Sequence, residues 1–126
     1  MDLIQRNFPN VGVVEGQLPE DVVDNIWKVV NEAREQPEDM KPELAGNIST
    51  SIRLDGDSPL LNEFVTELLP SFIESHIEAY GAPWRETMRE GEGWNLKSLW
   101  VNFQKQHEFN PPHDHSGVYS FVIWMQ

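Results

Sequence analysis

The sequence predicts an α+β domain, with two or three helices packed on a mainly antiparallel sheet and residues 1–126 forming a single unit. Three observations lead there. Apolar residues recur at helical spacing in two stretches, they alternate with period two in others, and a hydrophobic content of 39% with five Trp and six Phe supplies one core. A chain of 126 residues is long enough for one domain and short for two ordinary ones.

The elements follow in chain order. "NVGVVEG", residues 10–16, reads as a short strand closed by glycine. "QLPEDVVDNIWKVVNEAREQP" reads as a first helix: Pro19 stands at an early position, Glu20 and Asp21 fall in the first turn, and Val22, Val23, Ile26, Val29, Val30 and Ala33 share a side, with Pro37 as its end. In "LAGNISTSIRLDGDSP", Ile48, Thr50, Ile52 and Leu54 alternate as a half-buried strand does, and "DGDSP" supplies a turn. Ser58 then caps a second helix through Leu60, Leu61, Phe64, Val65, Leu68 and Leu69. Its pattern resumes after Pro70 at Phe72, Ile73, Ile77 and Tyr80. A proline inside a helix removes a hydrogen bond and crowds the preceding turn, so a kink or a junction of two helices is expected at Pro70.

"GAPWRETMREGEGWN" reads as a loop. Leu99, Val101 and Phe103 then alternate with Trp100 and Asn102 as a strand, and residues 118–125 form another, with Val118, Val122 and Trp124 on one face and Tyr119, Phe121, Ile123 and Met125 on the other. That last run is apolar on both sides and needs cover on both. Strands at 48–54, 99–103 and 118–125 make the sheet, and the expected core includes Ile26, Val30, Phe64, Leu68, Phe72, Trp100, Val101, Phe103, Phe121 and Ile123.

Charge narrows the function. Nine Lys and Arg against 21 Asp and Glu give a net charge of −12, which argues against a nucleic-acid or anionic-membrane surface, because both require clustered positive charge. The chain has no cysteine, so disulfides, thiolate metal sites and a cysteine nucleophile are excluded. The N-terminal stretch has neither the basic segment nor the apolar run of a secretory signal, and a cytoplasmic location is expected.

The chemistry concentrates in "FNPPHDHSGVYSFVIWMQ", residues 109–126. In an extended segment His113 and His115 project from the same side and can share one divalent metal, while Asp114 points the other way. Pro111 and Pro112 restrict the backbone just ahead and limit the entropy lost on binding. The same residues also read as a turn, since Asn, Pro, Asp, Ser and Gly are turn formers, and a complete site normally needs three protein ligands. Two known patterns fail. A cupin needs glycine six residues before the first histidine and glutamate four or five after the second, where His107 and Tyr119 or Ser120 stand; the metallo-β-lactamase H-x-H-x-D-H is broken by Ser116, Gly117 and Val118.

"WVNFQKQHEFNPPHDHSGVYSFVIWMQ", residues 100–126, resembles the first ligand segment of the 2-oxoglutarate and Fe(II)-dependent oxygenases, especially the prolyl-hydroxylase-like proteins of marine phages and bacteria. "LAGNIS" at 44–49 is similar to that group as well. The resemblance implies the N-terminal part of a double-stranded β-helix, or jelly-roll, fold, with Fe(II) and 2-oxoglutarate as cofactors. It implies His113 as the first iron ligand and His115 at the position usually held by a carboxylate, and it puts Asn102 and Gln104 near the oxoglutarate carboxylate, where core-facing amides are an equal reading.

The family's distal histidine and its basic oxoglutarate-binding residue have no match, since His76 falls in the second helix and His107 precedes the pair. The expectation is therefore an oxygenase N-terminal portion cut within its barrel and inactive alone. The alternative is a small association module with incidental metal binding through His113 and His115. A homodimer through the C-terminal strand or a sheet face is expected in either case, because an apolar two-faced strand left uncovered pairs with another chain.

Overall fold

The computed structural model describes residues 12–35, 50–82, 93–109 and 117–125, and over these the chain is α+β. Helix α1 (Glu20–Glu35) is followed by strand β1 (Thr50–Arg53), a 3₁₀ turn (Pro59–Leu61), a π-helical turn (Phe64–Leu68), helix α2 (Leu69–Tyr80) and strand β2 (Trp100–Phe103). No helix among the described residues is long and apolar enough to cross a membrane.

Helix α1 forms where the spacing predicts it. The Val23 amide donates to the Pro19 carbonyl at 3.1 Å and closes the first turn, where Glu20 and Asp21 sit at the positive end of the helix dipole and Arg34 at the negative end. Its inward stripe of Val22, Ile26, Val29 and Val30 is buried. Those four residues join Leu54, Leu61 and Phe64 in the core cluster, with Trp27, Leu68, Leu99, Val101 and Phe103 packed around it. Arg34 also lays its guanidinium 3.9 Å from the Phe103 ring centroid, which ties the end of α1 to β2.

The sheet has two antiparallel strands, in the register Thr50↔Phe103, Ser51↔Asn102, Ile52↔Val101 and Arg53↔Trp100. Leu54 extends the ladder by donating its amide to the Leu99 carbonyl at 2.9 Å. Ile52 and Leu54 are buried, as the alternation predicts, while Ser51 on the other face is buried too.

Ser58 caps the second helical stretch: its hydroxyl accepts from the Leu60 amide and Pro59 fills the first position. The junction expected at Pro70 takes a particular form. The chain stays helical and passes through a π turn, in which the Leu69 amide bonds the Phe64 carbonyl five residues back. Proline has no amide to donate and crowds the carbonyl four residues earlier, and a widened turn just before it relieves that crowding. Thr66 donates its hydroxyl to the Asn62 carbonyl at 2.7 Å, and Ser71 donates to Leu68 at 2.8 Å, so side chains occupy carbonyls around the altered register.

Two expected strands are corrected. Residues 12–16, the described part of the 10–16 run, form no strand: Gly12 has φ 74°, outside the extended region, and the segment crosses α2 instead. Gly12 lies against the Tyr80 ring, and a Cβ on Gly16 would come within 2.8 Å of Phe72. Residues 118–125 have no strand partner among the described residues either, although their burial alternates: Tyr119, Ile123 and Met125 are partly buried, while Val118, Val122 and Trp124 are exposed. Periodicity fixes which side chains share a face and says nothing about a hydrogen-bonded neighbour, which is what makes a strand. Phe121, expected in the core, is 38% exposed, although its ring meets Phe64 edge-on at 5.7 Å. Phe72 and Trp100 are half-buried rather than central, and Ile48 lies outside the described residues.

Candidate functional site

His113 and His115, with Asp114 between them, lie outside the described residues, in the stretch that joins β2 to the apolar segment 117–125. Around that stretch the structure is specific. β2 ends at Phe103, and residues 105–108 make a turn in which the Glu108 amide donates to the Lys105 carbonyl at 3.1 Å. His107 takes a positive φ of 69° there, a conformation glycine or asparagine adopts more readily. Gln104 donates its side-chain amide to the Glu108 carbonyl across the same turn, and the Lys105 amide donates to the Glu108 carboxylate at 3.3 Å. Gln104 is thus engaged in shaping the turn ahead of the histidines.

Asn102 is engaged as well. It stands opposite Ser51 in the ladder, and the Ser51 hydroxyl donates to Asn102 Oδ1 at 2.7 Å. Ser51 is only 3% exposed, whereas Asn102 is exposed, so the amide satisfies a buried hydroxyl and keeps its NH₂ available to water or a ligand. Asn102 and Gln104 therefore share the end of β2 nearest the histidine stretch and both have structural partners.

His76 is held elsewhere. Its Nε2 lies 3.3 Å from the Gly12 carbonyl, to which a protonated Nε2 donates, and Nδ1 is buried without a hydrogen-bond partner among the described residues. The ring touches Tyr80 at 4.8 Å and Tyr119 at 5.3 Å, and Tyr119 meets Trp94 at 5.4 Å. This aromatic cluster binds segments 12–16 and 117–125 to α2, so His76 packs there as a structural residue.

A groove of about 550 Å³ opens at the other end of the ladder. Glu32, Asp55, Asp57, Arg53 and Lys97 give it charges of both signs over a floor that includes Leu99. Asp55 is committed to the turn, accepting from the Asp57 amide at 2.9 Å. Sequence reasoning took "DGDSP" as a turn and did not single out the groove, and the only signal available was the density of charge flanking it. The groove includes neither Asn102 nor Gln104, and among the described residues no group of three or more His, Asp or Glu is placed to hold a metal ion.

No family model matches the chain, and neither a curated protein nor a solved structure matches it.

Proposed function

We propose that the chain carries the first part of a 2-oxoglutarate and Fe(II) oxygenase site on the opening strands of a jelly-roll fold, working in the cytoplasm. The observation that supports it is the frame around the histidines: a ladder strand, β2, precedes them, and an apolar segment of alternating burial follows, with Ile123 and Met125 packed on the core. The resemblance implies a strand on either side of the ligands: β2 is one, and 117–125 keeps a strand's alternation of burial without a ladder among the described residues. Two imidazoles suit Fe(II), nickel or zinc as donors, and they supply two positions of a facial set that requires a third ligand. The donor set is thus partial. This chain alone is expected to bind a divalent metal weakly and not to turn over 2-oxoglutarate.

Titration calorimetry with Ni(II) on the natural sequence, His113→Ala and His115→Ala tests the reading. Binding lost in both variants supports a shared site, and binding unchanged in either removes that histidine. Release of CO₂ from 2-oxoglutarate with Fe(II) by the chain alone would show a complete site and overturn the partial one.

One observation favours a second reading, an association module that forms homodimers: Val122 is 73% and Trp124 85% exposed beside one another on the outer side of 117–125. Dimerisation without metal dependence or turnover supports it. Nucleic acid is not a partner in either reading, given the net charge of −12.

A further inference from the structure

We draw no further inference here: the strongest candidate, the groove of about 550 Å³ between α1 and the open end of the β1–β2 ladder, sets the already engaged Arg53 and Lys97 beside Glu32, Asp55 and Asp57, and nothing in the structure shows which ligand would occupy it.

Discussion

Asn102→Ala should cost more stability than Ser51→Ala, although Asn102 is the exposed member of the pair. The reason lies in which group is stranded. Ser51 is 3% exposed and its hydroxyl donates to Asn102 Oδ1 at 2.7 Å, so removing the amide leaves a buried hydroxyl without its acceptor, at a cost of about 1–3 kcal/mol. Removing the hydroxyl instead releases an amide that water can reach, and only the net value of the bond is lost, about 0.5–1.5 kcal/mol. The double variant should then be less destabilised than the sum of the singles, with a coupling of about 0.5–1.5 kcal/mol, since the two residues are in direct contact. Urea unfolding at one protein concentration, with midpoints and slopes fitted for all four proteins, measures the cycle. A Ser51→Ala cost above that of Asn102→Ala, or a coupling under about 0.3 kcal/mol, would refute the reasoning. The same proteins report on the cofactor role: a 2-oxoglutarate carboxylate that uses the Asn102 NH₂ leaves Oδ1 on Ser51, so ligand binding should depend on Asn102 and not on Ser51.

Phe64→Ala should cost about 3–5 kcal/mol, since the ring is 3% exposed and also supports Phe121 at 5.7 Å; a thermal midpoint within error of the natural one would contradict its place in the core. His107→Gly should stabilise the domain by about 1 kcal/mol by relieving the positive φ of 69°, read as a higher urea midpoint. Gly12→Ala should destabilise by about 1–3 kcal/mol, because φ is 74° and the added Cβ runs into the Tyr80 ring; quenching of Tyr and Trp fluorescence by iodide should rise as segment 12–16 lifts from α2.

Much of this fold is legible from the spacing of single residues. Val22, Ile26, Val29 and Val30 lie one helical turn apart and are buried together, and Ile52 and Leu54 alternate and are buried as a strand requires. Ser58 and Pro59 mark a helical start that the structure reproduces, beginning as a 3₁₀ turn. The failures have a common origin. Val13 and Val14 look like strand material, but a strand is a relation between two segments, and Gly12 and Gly16 serve instead to bring this one close to Tyr80 and Phe72. Residues 118–125 have the correct alternation and no ladder among the described residues, for the same reason. Ser51 escaped notice because a hydroxyl on the solvent side of a strand looks like surface, and its burial depends on partners distant in sequence. The candidate site is legible only as residue types. His113 and His115 can be found by spacing, and Asn102 and Gln104 by resemblance, but that both amides have structural partners depends on the Ser51 register and the 105–108 turn, which no local pattern encodes.

The π turn at Phe64–Leu68 amounts to one residue taken up without interrupting the helix. Because an α-helix advances about 100° per residue, everything beyond the turn is rotated by roughly that angle from where uninterrupted winding would place it. The turn acts as a phase shifter: Leu61 and Phe64, before it, face the core with α1, while Phe72, His76 and Tyr80, after it, meet Gly16, Gly12 and Tyr119. Length along this helix is therefore less constrained than angle. Deleting any one residue of the widened turn would shorten the helix by only about 1.5 Å, yet it would swing three docking side chains at once away from both segments they hold, so a loss of a single codon here acts on the chain's beginning and its far end together.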